Sequence, residues 1–186
     1  MDAHAFFDRD TEQAVVFPVV GIGVGCGGIE PLIAFFAQLP SNSTMAFMLF
    51  LSTNGPSEEQ LHNVISDQIA LPCIRLHGAI ALAPNQLYLV PPMHQIQIRN
   101  NLLNSIPADA INGIHMPIDH GFRALAGHFN GATAAIILSG SGSDGVLGIK
   151  RVKEAGGVTL AQDPQTADYP EMPRAATKFK PYFKIC

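Results

Sequence analysis

Near-continuous apolar runs that alternate with helix-compatible segments constrain the fold of this chain more than any other feature. Apolar residues fill segments 15–22, 45–51, 134–138 and 158–161, as expected of strands covered on both faces. Helical spacing, or the Ser57/Gln60 capping pattern, predicts helices over residues 29–39, 57–69, 118–129 and 146–155. This alternation predicts an α/β fold with three layers, in which helices cover both faces of a doubly wound, mostly parallel sheet.

The middle of the chain has a different pattern. Residues 78–103, GAIALAPNQLYLVPPMHQIQIRNNLL, contain short alternating pieces interrupted by Pro-Asn and Pro-Pro. Such pieces predict short β-segments, antiparallel and at one edge of the sheet. We expect residues 158–161 to form the last strand.

Composition narrows the class of protein. The 186 residues are 47% hydrophobic and 14% charged, with a net charge of −4 and no run of Lys or Arg. These values favour one globular domain over residues 15–186, preceded by an arm at residues 1–14, and they favour neither nucleic-acid binding nor membrane insertion. The acidic N-terminus does not resemble a signal peptide, so we expect a cytoplasmic protein. Three widely spaced cysteines and scattered histidines predict no disulfide, metal site or cofactor.

Two glycine-rich loops follow predicted strands. Residues 21–28, GIGVGCGG, hold five glycines in eight positions, and residues 139–145, SGSGSDG, follow a later strand. Because both loops lie at carboxyl ends of strands in the predicted sheet, we expect them to face one crevice.

Three interpretations of the first loop compete. Its GxGxxG pattern is that of dinucleotide binding, but the second strand ends FLSTNG and lacks the acid that would bind a ribose. The loop is also typical of a strand-to-helix turn that presents a nucleophile beside free backbone N–H groups, with Cys26 as its only candidate and Asp144 as a possible orienting carboxylate. The third interpretation is close packing of helix on sheet.

Several segments resemble the catalytic domain of the CheB-type protein-glutamate methylesterases. GIGVGCGGIEPL (21–32) is similar to the family pattern GIGASAGGLEAL, and MAFMLFLS (45–52) is similar to MAFVVVQH. APNQLYLVPP (83–92), HMPIDHGFRALA (115–126) and the block 137–176 also resemble family segments. The resemblance covers roughly residues 15–177 and implies a hydrolase with a Ser-His-Asp triad and no cofactor, which demethylates and deamidates chemoreceptor helices.

The resemblance places the triad on three positions of this chain, two of which lack the required side chain. The aspartate falls on Asp144, the nucleophile on Gly25 and the histidine on Ser52, and the residue that supplies an oxyanion N–H falls on Cys26. Loss of nucleophile and base together costs about 10⁴ to 10⁶ in rate. We therefore expect an inactive esterase in which Asp144 mainly caps the helix that follows it.

The resemblance also implies a substrate groove and a signalling context. Gly27, Gly28, Ser141 and Met172 fall on positions expected to border the groove. We expect a domain of a larger multidomain protein, without a receiver domain in this chain and shortened at its C-terminus. Its role would be that of a scaffold, sensor or peptide-binding module for a chemoreceptor or another protein of a chemotaxis phosphorelay.

In one alternative, the domain retains hydrolase activity. Cys26 would act as a relocated nucleophile, with His115 or His120 reaching in from the rim as its base. In the simpler interpretation, Cys26 packs as a small apolar residue without a catalytic role. Asp119 and Arg123, four residues apart, are expected to form an exposed helical ion pair.

Overall fold

The apolar runs form a parallel seven-stranded sheet in the computed structural model, which describes residues 17–40, 42–99, 101–108, 115–179 and 183–185. The order of its strands is β10-β9-β8-β1-β2-β5-β3, and every neighbouring pair is parallel. These strands are β1 (Val19–Val24), β2 (Ala46–Leu51), β3 (Cys73–Arg75), β5 (Gln86–Leu89), β8 (Thr133–Ile137), β9 (Val158–Gln162) and β10 (Phe183–Ile185).

Helices cover both faces of this sheet, which confirms the predicted three-layer fold. Alternating residues of β1 and β2, such as Ile22 and Leu49, pack with Leu32 and Leu61 from α1 and α2. The opposite face packs against α3, α4 and α5. The helices are α1 (Ile29–Ala37), α2 (Glu58–Gln68), α3 (Pro117–Phe129), α4 (Val146–Glu154) and α5 (Glu171–Ala176).

The antiparallel strands form a sheet of their own. Strands β4 (Ala79–Ala81), β6 (His94–Arg99) and β7 (Leu102–Pro107) pair in the order β4-β7-β6, and α3 contacts β6. The sequence had placed all the short segments at one sheet edge. The structure instead puts β5 inside the main sheet, because Leu87 and Leu89 are buried on one face and Tyr88 on the other.

Two further details bear on the sequence predictions. The expected capping box is present, since Ser57 Oγ accepts from Gln60 N at 3.1 Å and Gln60 Oε1 accepts from Ser57 N at 3.0 Å. The prediction that residues 158–161 form the last strand is wrong, because β10 extends the sheet beyond β9. The arm at residues 1–14 and Cys186 lie outside the described residues. Within those residues, no helix has the length and apolar character needed to cross a bilayer.

Candidate functional site

Three loops meet at the carboxyl edge of the parallel sheet. They follow β1, β2 and β8, the strands that lead to Gly25, Ser52 and Asp144. The loops are hydrogen-bonded to one another through the main chain: Ser52 N donates to Val24 O at 3.0 Å, and Gly25 N donates to Ser139 O at 3.0 Å. The fold therefore holds the two glycine-rich loops side by side, with Ser52 next to the first of them.

Packing explains two of the five glycines in the first loop segment. Gly21 and Gly23 lie within β1, on the face that α3 covers. A Cβ at Gly21 would lie 2.8 Å from Leu125 Cδ1, and one at Gly23 would lie 2.6 Å from Ile118 Cγ2. Helix-on-sheet packing, the third interpretation of the sequence, thus accounts for these two positions.

Gly25, where the sequence resemblance predicts the nucleophile, is enclosed by main chain. A Cβ there would lie 2.5 Å from Gly140 Cα and 2.9 Å from Ser139 O, so a side chain needs the backbone to move. Met172 closes the same region from α5: it is fully buried, and its N donates to Gly140 O at 2.9 Å. Met172 packs beneath the two loops, and this burial contradicts the expectation that it borders an open groove.

Ser52, where the sequence resemblance predicts the base, lies on the wall of a cavity of about 410 Å³. The residue is 8% exposed, and among the described residues its Oγ has no hydrogen-bond partner. This Ser52 cavity is lined by uncharged residues only: Leu51, Ser52, Thr53, Gly55, Pro56, Ser57, Gln60, Pro92, Met93 and Pro117.

A second cavity of about 290 Å³ adjoins the first and contains Cys26. We call it the Cys26 cavity, and the two together the groove, because both are lined by Gly55 and Pro56. The other lining residues of the Cys26 cavity are Gly25, Gly27, Ile29, Glu30, Asn54 and Asp168. Gly27 has a positive φ of 68°, and a Cβ there would lie 2.9 Å from Ser139 Oγ. Gly28 is buried as the N-cap of α1.

The Cys26 thiol has a main-chain partner in place of a base. The half-buried side chain donates through Sγ to Asn54 O. His115 and His120 line a small pocket that shares Met93 and Pro117 with the Ser52 cavity but shares no lining residue with the Cys26 cavity. Among the hydrogen bonds of the described residues, none joins either imidazole to the thiol, so the geometry does not assemble the Cys-His pair that the alternative requires.

Asp144 caps a helix, but a different one from that expected. Its Oδ2 accepts from Ile118 N at 3.2 Å and its Oδ1 from Asp119 N at 3.0 Å, both in the first turn of α3. The N-cap residue of α4 is Gly145, which adopts a left-handed conformation and makes no side-chain hydrogen bond to the helix. Burial raises the pKa of Asp144 to about 6, and the hydrogen bonds from Asp119 and Ile118 only partly offset this effect.

Asp119 makes the reciprocal cap, so its expected role in an exposed ion pair with Arg123 is wrong. Its side chain is 3% exposed, and Oδ1 accepts from Gly148 N, in the first turn of α4, at 2.7 Å. Burial raises the pKa of Asp119 as well. Asp144, which lies two residues before α4, therefore caps α3. Asp119, in the first turn of α3, caps α4.

Ser139 is a site residue that the sequence analysis did not single out. Its Oγ donates to Cys26 O at 2.8 Å and accepts from Tyr169 N at 3.0 Å, and its N donates to Gln162 Oε1 at 2.8 Å. It thereby ties the first loop to β9 and to the segment before α5. A polar residue directly after a buried strand was the available signal. Ser141, two residues later, is half-buried in the same loop.

Taken together, these residues form a groove without an assembled hydrolytic pair. Nucleophilic catalysis needs a hydroxyl or thiol within reach of a base, but position 25 has no side chain and both oxygens of Asp144 accept from α3. Within the described part of the chain, no cluster of three or more His, Cys, Asp or Glu residues could hold a metal ion.

Comparison with known sequences identifies relatives of most of the chain. A sequence model of the family described as CheB methylesterase matches residues 20–183. The protein-glutamate methylesterase/protein-glutamine glutaminase 1 of Geobacter sulfurreducens is 31% identical over 167 residues, which cover 86% of this chain and 46% of that protein. A Rhodobacter capsulatus protein described as an uncharacterized 104.1 kDa protein in the hypE 3′ region is 33% identical over 114 residues, or 61% of this chain and 12% of its own length. The chain thus spans half or less of these relatives.

The fold has a solved counterpart. The catalytic domain of the Thermotoga maritima CheB methylesterase superimposes with a TM-score of 0.76, covering 91% of this chain and 93% of that one. The two sequences are 23% identical, so this match bears on the fold alone.

Proposed function

Because the chain belongs to the CheB methylesterase family over residues 20–183, we propose that it is a catalytically silent methylesterase-like domain of a chemotaxis protein. It binds a glutamyl segment of a chemoreceptor or of another signalling protein in the cytoplasm and serves there as a scaffold or sensor. The relatives named protein-glutamate methylesterase/protein-glutamine glutaminase support this class of ligand. A place within a larger multidomain protein of a phosphorelay is part of the same proposal.

The observation that carries the proposal is the enclosure of Gly25. An acyl-enzyme requires an oxygen or sulfur nucleophile on a side chain, and the space for a Cβ at this position is taken by the main chain of Gly140. Ser52, where the family has its base, has no group that titrates near neutral pH. Two observations thus support the absence of esterase activity: the enclosed backbone at Gly25 and the hydroxyl of Ser52 in place of a base.

The backbone around the groove supports binding without turnover. Helix α1 begins at Ile29, directly after the loop, so the N–H groups of Ile29 and Glu30, two residues that line the Cys26 cavity, lie at the groove. These groups favour a ligand oxygen that carries partial negative charge. A carbonyl held there would be polarised.

The second candidate is a working hydrolase that uses Cys26, and one observation favours it: the half-buried thiol lines the groove. Two observations weigh against it: the thiol donates to Asn54 O, and both imidazoles line a pocket that shares no lining residue with the Cys26 cavity.

The test is to mix the intact protein with a methylated chemoreceptor cytoplasmic fragment and to measure binding by calorimetry and methanol release by gas chromatography. We expect binding with no methanol above the buffer blank, both in the wild type and in Cys26→Ala. Methanol release that Cys26→Ala abolishes would establish the second candidate. Absence of any binding would overturn the role as a peptide-binding module.

A further inference from the structure

A small pocket beside the groove brings together two histidines and two methionines. It is lined by Met93, Ala108, His115, Met116, Pro117 and His120. Its volume is about 10 Å³, which is about the smallest space that holds one water-sized particle. The pocket therefore admits a single ion and is too small for an organic ligand.

The main chain holds these residues around the pocket. Met116 is the N-cap residue of α3, and His120 N donates to Met116 O at 3.1 Å, so the two residues lie one helical turn apart. Met93 O accepts from Ala108 N at 2.8 Å, and Met93 has a positive φ of 61°, which is uncommon for a residue with a side chain. Strained backbone of this kind clusters at ligand sites. Because Met93 is 43% exposed, an ion has a path into the pocket from solvent.

One imidazole of the pocket has a nitrogen that nothing satisfies. His115 Nδ1 is shielded from solvent and has no hydrogen-bond partner among the described residues. A buried polar atom without a partner is unusual and unfavourable. Since a neutral imidazole nitrogen is the commonest metal ligand in proteins, a bound cation would satisfy it.

The donor atoms indicate which cation fits. The described lining residues offer two imidazoles and two thioethers, with no carboxylate or thiolate among them. Thioethers are soft ligands that select Cu(I), and imidazole also binds copper. Zinc sites are built from Cys, His and carboxylate ligands, and a divalent ion would bring two positive charges into an uncharged site. Cu(I) carries one charge, so its burial there costs less free energy.

We propose that this pocket is a Cu(I) site, with His115 Nδ1, one ring nitrogen of His120 and the sulfurs of Met93 and Met116 as ligands. Histidines and cysteines alone predict no metal site in this chain, and the two thioethers complete the donor set. The site goes beyond the proposed function, because it takes a metal ion rather than a peptide. Its test does not depend on catalytic silence.

The experiment adds Cu(I) to the intact protein under anaerobic conditions with ascorbate, in competition with a chromophoric Cu(I) chelator. Because cysteine thiols also bind Cu(I), the titration is repeated on a cysteine-free variant, Cys26→Ser/Cys73→Ser/Cys186→Ser. We expect this variant to retain one Cu(I) per chain. A cysteine-free protein that retains no Cu(I) would overturn the inference.

Further changes in the cysteine-free protein assign the ligands. Met93→Leu combined with Met116→Leu removes both thioethers at nearly constant volume. This pair, and separately His115→Gln, should weaken Cu(I) binding at least about tenfold, because loss of a ligand costs at least as much as loss of a group that only orients one. Met45→Leu combined with His62→Gln, at residues outside the pocket, is the matched control and should change nothing. Undiminished affinity in the pocket variants would contradict the assignment.

A spectroscopic measurement on the wild type makes the test independent of how the variants fold. The chain has six methionines, and ¹³C labelling of their methyl groups reports on each of them. With enough Cu(I) to saturate the three cysteines as well, we expect the resonances of Met93 and Met116 to shift and those of Met45 and Met48 to stay in place. An equal amount of Zn²⁺ should shift none of the four. Unshifted Met93 and Met116, or equal shifts with Zn²⁺, would overturn the inference.

Discussion

Gly25 lies where two loops approach too closely to leave room for a side chain. Its N donates to Ser139 O at 3.0 Å, and the main chain of Gly140 occupies the direction in which a side chain would leave. Restoring a hydroxyl at this position therefore requires two loops to separate. A serine at position 25 would supply a hydroxyl without supplying the space for its Cβ.

The close approach at Gly25 predicts a stability effect. Gly25→Ala should lower the free energy of unfolding by about 1–3 kcal/mol, because the added Cβ overlaps backbone atoms that cannot rotate away. Gly127→Ala in α3 is the control, since nothing lies within 4 Å of a Cβ there, and it should raise stability by about 0.5–1 kcal/mol. Urea denaturation measures both. A Gly25→Ala protein as stable as the wild type would show that the loop is open.

Helices α3 and α4 are joined by their caps as well as by their packing. Asp144 precedes α4 and caps α3, while Asp119 belongs to α3 and caps α4. Two buried carboxylates at adjacent helix starts repel each other, and this repulsion adds to burial in raising the pKa of Asp144. Asp144 thus has a structural role in the described part of the chain.

This arrangement predicts a pH dependence of stability. The pKa of Asp144 rises from 3.8 to about 6 on folding, so the folded state binds the proton more tightly than the unfolded chain does. Its contribution is fully present below pH 4 and is lost as the pH rises through 6. We expect the free energy of unfolding of the wild type, relative to Asp144→Asn, to fall by up to about 3 kcal/mol between pH 4 and 7. Parallel profiles from chemical denaturation would contradict this expectation.

Two glycines in one helix provide a test of how α3 packs. Gly121 faces the Phe50 ring of β2, which a Cβ would overlap, whereas Gly127 faces open space. Gly121→Ala should therefore cost about 1–3 kcal/mol of stability, while Gly127→Ala should cost none. Thermal denaturation of the pair distinguishes packing from helix propensity, because both changes have the same effect on propensity. Equal shifts in Tm would mean that α3 does not lie as close to β2 as described.

At the scale of the whole molecule, local sequence patterns predicted the parts that local physics governs. The apolar runs predicted the central strands correctly, because a strand that is buried on both faces carries apolar side chains on both of them. The capping pattern of Ser57 and Gln60 predicted the start of α2 correctly. Its two hydrogen bonds join residues only three positions apart, so the pattern is visible in the local sequence. The contact between the two glycine-rich loops also agrees with the prediction, since loops that follow parallel strands lie at one edge of the sheet.

Long-range contacts account for what the sequence did not predict. Asp144 and its partners in α3 are 25 and 26 residues apart, so a rule that examines only neighbouring residues assigns the cap to α4. The same rule paired Asp119 with Arg123. Gly21 and Gly23 are required by the close packing of α3, a helix about a hundred residues later in the chain. Strand β10 is recognised by its pairing with β9.

The rate of methanol release from γ-methyl glutamate in a receptor fragment tests the central claim, that a methylesterase fold with no room for a nucleophile cannot cleave an ester. It should be measured beside the Geobacter sulfurreducens relative under identical conditions. We predict that the rate for this protein equals the uncatalysed rate and does not change in Cys26→Ala or Asp144→Asn. A rate within about a hundredfold of the relative's would contradict the account, and its dependence on Cys26 would identify the nucleophile.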